Sequence, residues 1–99
     1  MRHLCALAGC ECVHFSQARA TGQTPGIPDL RFYPPSGPAF WVEAKAEGGR
    51  QSPAQAAFQA RCARCGDPYV LGGYREVLAY LRARGLWRDP AGLGLAARA

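Results

Sequence analysis

The spacing of apolar positions changes several times along this chain, and each spacing predicts a kind of element. In Arg2 to Ala8, Leu4, Leu7 and Ala8 fall on one helical face, and Gly9 stands where a helix C-cap belongs. Glu11 to Arg19 alternates Val13 and Phe15 with His14 and Ser16, the period of a strand. Ala20 to Pro28 is punctuated by Gly and Pro and reads as a loop, its Pro28 holding the backbone just ahead of a second strand. Two further alternating runs flank the turn Pro34 to Pro38. In the first, Asp29, Arg31 and Tyr33 share one face and Leu30 and Phe32 the other. In the second, Phe40 to Ala46, the residues Trp41, Glu43 and Lys45 share one face. Phe40, Val42 and Ala44 share the face that can be buried with Leu30 and Phe32.

Beyond the loop Glu47 to Gln51 the period becomes helical. Ser52 suits an N-cap, Pro53 the first helical position, and Gln55 lies three residues past the cap. Phe58, Cys62 and Cys65 recur on the side expected to be buried, Gln59, Arg61 and Arg64 face water, and Gly66 ends the helix. Tyr69 to Leu71 reads as a short strand. Tyr74 to Arg84 reads as an amphipathic helix burying Tyr74, Val77, Leu78 and Leu81, with Gly85 as its stop. From Leu86 no period persists, so residues 86–99 read as a flexible C-terminal tail behind a domain over 1–85. The predicted order is helix, three strands, helix, strand, helix, an α/β domain.

A hairpin of the two middle strands brings Asp29, Glu43 and Lys45 to one opening. Two nearby carboxylates repel each other unless a cation lies between them, and a hard divalent ion such as Mg2+ is suited to that place. Such an ion binds through one or two carboxylates and fills its shell with water and phosphate oxygens. A neighbouring Lys can then orient an attacking water or stabilise developing charge, a combination suited to phosphodiester hydrolysis. Glu-x-Lys alone is equally at home as a salt bridge along an exposed strand.

The order Pro28, Asp29, a hairpin-length gap, then Glu43-Ala44-Lys45 resembles the PD-(D/E)xK nuclease superfamily. With GIPDL at Gly26 to Leu30, FWVEAKA at Phe40 to Ala46 and GGRQSPAQ at Gly48 to Gln55, the chain is similar to the virus-type replication-repair nuclease (VRR-NUC) domain, from about Leu4 to Leu81. The resemblance implies a restriction-endonuclease-like core of order αβββαβα, with a small mixed sheet flanked by helices. It implies a Mg2+- or Mn2+-dependent endodeoxyribonuclease, with branched DNA such as Holliday junctions as substrate. Asp29, Glu43 and the carbonyl of Ala44 would hold the metal, Lys45 would serve the nucleophilic water, and Gln55 would stand beside the site. Gln55 also sits where a capping box places it, so both roles are open. The family carries an acidic residue upstream, and here none precedes Glu11. Either the natural beginning lies elsewhere, or two carboxylates suffice, or Glu11 substitutes.

Composition narrows the partner. A net charge of +5 over 99 residues suits an anionic partner such as nucleic acid, although the excess of Arg over Lys also fits a compositional bias. Arg19, Arg50 and Ser52 are the candidate DNA contacts, the last two because a Gly-rich loop there leads into a helix N-terminus. No apolar run approaches membrane-spanning length and no signal peptide is evident, which points to a cytoplasmic protein. Five cysteines without a secretory signal are expected to be reduced. Cys10-x-Cys12 and Cys62-x-x-Cys65 have zinc-like spacing, against the plainer reading as buried thiols. Cutting two opposed strands of a near-two-fold junction needs two matched sites, so a homodimer is expected, with Trp41, Leu86, Trp87, Leu93 and Leu95 as interface candidates. Two alternatives to the nuclease stand beside it: a catalytically inactive nucleic-acid-binding module, and a small zinc-stabilised interaction domain.

Overall fold

A computed structural model describes residues 1–15 and 24–87. The elements are α1 (Arg2–Leu7), β1 (Glu11–His14), β2 (Leu30–Tyr33), β3 (Phe40–Ala44), α2 (Pro53–Cys65), β4 (Tyr69–Gly72) and α3 (Tyr74–Ala83). They form one mixed sheet in the order β1-β2-β3-β4, its first three strands antiparallel and β4 parallel to β3. The register sets Leu30 opposite Val42, Arg31 opposite Trp41 and Phe32 opposite Phe40. Alternation then sends Leu30, Phe32, Phe40 and Val42 to one face and Arg31, Trp41 and Glu43 to the other.

On the apolar face, Leu30, Phe32, Phe40, Val42 and Val70 meet Leu4 and Cys5 of α1 and Val77 and Leu81 of α3 in one buried cluster. Each such side chain contributes about 1.5–3 kcal/mol by leaving water. On the opposite face α2 packs through Phe58, whose ring meets Trp41 edge-on at a centroid distance of 5.2 Å. The connection β3-α2-β4 is a parallel crossover, and α3 returns to the other face. The C-terminal ends of β3 and β4 therefore discharge to opposite sides of the sheet.

Several expectations need correcting. β1 spans Glu11–His14, its ladder with β2 running from Glu11 opposite Tyr33 to His14 opposite Leu30, and residues 16–19 of the expected strand lie outside the described residues. Arg19 lies outside the described residues. Ala44 is exposed, since it stands one step beyond the Val42 layer that the helices cover. Cys65 is exposed in the last turn of α2, next to the Gly66 cap that ends the helix, while Phe58 and Cys62 are buried as expected. Tyr74 is 53% exposed rather than buried, because it begins α3 and its hydroxyl faces outward to accept a hydrogen bond from the Met1 α-amino group. Leu86 and Trp87 pack against the core cluster instead of joining a tail, and the Leu86 amide closes onto the Leu81 carbonyl at 2.8 Å.

The cysteines do not assemble as a four-thiolate set. Cys12 pairs with Phe32 and shares its face, whereas Cys62 lies on the α2 side of the sheet. All five are free thiols. Burial pushes the Cys5 thiol up to about 12, aided by Cys12 and Cys10 beside it, the behaviour of an inert packed thiol.

Candidate metal-binding and catalytic site

Asp29 and Glu43 meet because of the register. One step on from Leu30 opposite Val42 lies Asp29 opposite Glu43, on the sheet face that α2 covers. Asp29 occupies the bend ahead of β2, where its Oδ2 accepts the Ala44 amide at 3.1 Å. Glu43 is only 1% exposed. Its Oε2 accepts from Gln55 Nε2 at 3.2 Å and lies 4.0 Å from Lys45 Nζ. Its Oε1 is buried and has no hydrogen-bond partner. Burial first, then the neighbouring Asp29, push the Glu43 carboxyl up to about 7, with Lys45 opposing them.

An unpartnered, buried carboxylate oxygen beside a second carboxylate is a costly arrangement in isolation. A divalent cation between the two would satisfy the orphaned oxygen and cancel the repulsion, and an all-oxygen donor set suits Mg2+ or Mn2+. Among the described residues no third His, Cys, Asp or Glu joins the pair. Glu11 in particular pairs with Tyr33, four strand positions from the level of Asp29 and hence about 13 Å away along the sheet. It cannot stand in for a third acid at this site.

The register also leaves the Ala44 carbonyl without a ladder partner. The Ala44 amide points towards β2, and in a strand the carbonyl of the same residue points the same way. Continuing the register puts Pro28 opposite Ala44, and proline has no N–H with which to occupy that carbonyl. The Pro-Asp pair thus does two things: Asp29 takes the Ala44 amide, and Pro28 leaves the Ala44 carbonyl without a ladder donor.

Gln55 makes the capping box and also reaches Glu43. Its Oε1 accepts the Ser52 amide at 2.8 Å while Ser52 Oγ accepts the Gln55 amide at 3.1 Å, a complete capping box. Its Nε2 is left to hold Glu43. The first turn of α2 is therefore tied to the carboxylate pair by one side chain. Arg50 and Ser52 are exposed beside that turn.

Three contributors went unassigned in the patterning. Gly26, at φ +78°, packs so closely on the first turn of α2 that a Cβ there would overlap the Ala54 carbonyl. Tyr69 lies behind Glu43, its hydroxyl accepting from Gln51 Nε2 at 3.2 Å, and burial together with the Glu43 charge pushes it up to about 12. Gln51 also donates to Gln59 Oε1 at 3.0 Å. Only Gly26 left a trace in the sequence, as the glycine of a Gly-Ile-Pro-Asp run entering a strand.

Trp41 is engaged within the chain rather than free for an interface. Its ring lies under the Arg31 guanidinium at 4.5 Å and against Phe58 and Phe15, and its Nε1 donates to Asp67 Oδ2 at 2.9 Å. With Leu86 and Trp87 packed against the core, three of the five interface candidates are engaged within the chain; Leu93 and Leu95 lie outside the described residues. No helix among the described residues is long and apolar enough to cross a membrane. No family model, no curated protein and no solved structure matches this chain.

Proposed function

We propose that this chain is a Mg2+- or Mn2+-dependent endonuclease of the PD-(D/E)xK type, related to VRR-NUC domains, that hydrolyses phosphodiester bonds in branched DNA. The observation that carries the reading is the pairing of buried Glu43, with one orphaned oxygen, and half-buried Asp29, with Lys45 beside them. The net charge of +5 and the exposed Arg50 at the mouth of α2 favour a polyanionic substrate.

The division of labour follows from the contacts. Asp29 is oriented by the Ala44 amide and Glu43 by Gln55, so both carboxylates are preorganised by neighbours that do not themselves react. Asp29, Glu43 and the Ala44 carbonyl would hold the divalent ion, which supplies Lewis-acid polarisation of a phosphoryl oxygen and lowers the pKa of bound water. The Lys45 ammonium, near Glu43 but partly open to solvent, can donate to the attacking water or to a non-bridging phosphate oxygen as charge develops. Arg50 and the Ser52 turn hold a flanking phosphate.

The test is incubation of linear, flapped and four-way DNA with Mg2+, Mn2+ or EDTA. Cleavage that requires the metal and favours the branched substrates is expected. Arg50→Ala should weaken binding and flatten its salt dependence, by about 0.9 in the log-log slope for one lost duplex phosphate contact. Metal-independent cleavage, or none on any substrate, overturns the reading. Binding without cleavage would instead favour a catalytically inactive nucleic-acid-binding module, a second reading motivated by the absence of a third acid among the described residues. Two copies acting on opposed strands complete the proposal, and light scattering at micromolar concentration should give about twice the mass of the 10.6 kDa chain. A monomer that cuts both strands would remove the dimer from it.

A further inference from the structure

A cleft of about 500 Å3 opens beside Lys45, at the C-terminal ends of β3 and β4. Its position has a topological cause. The chain leaves β3 for a helix on one face of the sheet and leaves β4 for a helix on the other, and the parting connections leave a crevice where ligands of α/β folds commonly lodge. On one side lies the loop after β3, with Gly49; on the other lie Gly73 and the first turn of α3.

Two of the large apolar side chains exposed on the described surface, Leu71 at 37% and Tyr74 at 53%, line this cleft. The Tyr74 hydroxyl is held by the Met1 amino group at 3.2 Å, which leaves the ring at the surface. Lys45 and Arg75 supply positive charge, and Glu47 and Glu76 supply negative charge. The acids are not equivalent. Glu76 Oε1 accepts the Gly73 amide at 2.8 Å and its chain folds into the space a Cβ at Gly72 would need, so it is committed to the start of α3. Glu47 stands exposed in the loop after β3.

An exposed aromatic ring, two cations and a volume of this size match a nucleotide: a planar base to stack on the ring and a phosphate for the cations. Lys45 belongs both to the cleft and to the carboxylate site. A phosphate bound here would therefore neighbour the one being cut. Only an unpaired base offers an open π-face to Tyr74, and unpaired or splayed nucleotides occur at branch points. We propose that this cleft seats one unpaired nucleotide adjoining the scissile phosphodiester, with its base on Tyr74 and its phosphate between Lys45 and Arg75. That the adjoining phosphodiester is the one cut rests on the nuclease reading; the nucleotide site does not.

The experiment uses the full chain in Ca2+ buffer and a single-stranded DNA dodecamer carrying one 2-aminopurine, with a fully paired duplex of the same sequence as comparison. The parent should bind the single strand with quenching of the 2-aminopurine. Tyr74→Ala should lose about tenfold or more in affinity together with the quenching, as expected for one lost base–aromatic stack. Tyr74→Phe should keep both, which separates the ring from the Met1 contact. Arg75→Ala should keep the quenching but bind more weakly and with a shallower salt dependence. Thermal melting of each variant confirms that it is folded; Tyr74 is exposed enough for its loss to spare the core. A folded Tyr74→Ala that binds and quenches like the parent, or a parent that does not bind the single strand, overturns the proposal. Cleavage of four-way DNA is measured in parallel. A parent that quenches through Tyr74 but never cuts leaves the nucleotide site standing and removes the nuclease reading alone.

Discussion

Glu43→Gln is expected to abolish metal-dependent cleavage and, at the same time, to make the protein more stable. The two effects share one cause. Glu43 is 1% exposed, keeps one oxygen without a partner and faces Asp29, so its charge is held in place against its own desolvation. An amide of the same shape carries no charge to bury and can donate to Asp29. The pH dependence follows from the direction of the shift. The folded carboxyl is raised from 4.5 to about 7, so the folded state binds the proton more tightly than the unfolded chain does. Its contribution is fully present below the unfolded value and is lost as pH rises through the folded one. Parent and Glu43→Gln should therefore melt together near pH 4 and diverge above it, the variant ahead by up to about 3 kcal/mol at pH 8. For a chain of this size that is on the order of 10 °C or more. Added Mn2+ should raise the melting temperature of the parent and leave the variant unmoved. Cleavage should fall by at least about a hundredfold, the scale of losing a group that organises transition-state charge. Melting curves that stay parallel from pH 4 to 8, or undiminished cleavage, would sink the assignment of Glu43.

Gly26→Ala is expected to damage stability and the site together, although Gly26 touches neither carboxylate. At φ +78° an alanine is strained by about 1–2 kcal/mol, and its methyl would also collide with the Ala54 carbonyl. Relieving that overlap adds about 1–3 kcal/mol, giving roughly 3 kcal/mol in all. Gly48 provides the comparison. It has φ +82° with nothing near its missing Cβ, so Gly48→Ala should show the backbone strain without the collision. Because the colliding groups lie next to Gln55, and Asp29 is three residues on, any relaxation in Gly26→Ala moves the holder of Glu43 or its partner. Urea denaturation and cleavage rates measured on both variants check this. Equal losses in the two would mean that the close approach to α2 contributes nothing.

Patterning was most reliable where a side chain's role depends on local period. The alternation in Asp29 to Tyr33 and Phe40 to Ala46 sets Leu30, Phe32, Phe40 and Val42 against Arg31, Trp41 and Glu43, and the sheet keeps that division because a slip of one residue would invert every side chain at once. Ser52, Pro53 and Gln55 announce the start of α2 because capping is a contact within one turn. The same residues left the role of Gln55 open, since a capping box has a spare amide hydrogen whose target lies on another element. Only the packing of α2 across β3 gives that hydrogen to Glu43.

Burial at the ends of elements was likewise decided by tertiary structure. Cys65 continues the spacing of Phe58 and Cys62, and Tyr74 that of Val77 and Leu81, yet both are exposed because they stand in the terminal turns of their helices. Periodicity specifies a direction around an axis; it does not specify where the facing surface stops. Alternation places Arg31 and Trp41 on one strand face, and only tertiary structure brings Phe58 and Asp67 onto them from α2 and the turn after it. The unpartnered oxygen of Glu43 is the furthest from being legible. A lone Glu-x-Lys is an ordinary surface pattern, and what sets this one apart is the low-dielectric enclosure made by Gln55, Tyr69 and Asp29, residues brought together from three separate stretches of chain. Sequence by itself determined which faces the strands would present and which residue types would meet at their ends. Tertiary structure alone decided how deeply Glu43 is buried, because desolvation is a property of everything that surrounds a charge and not of its neighbours along the chain.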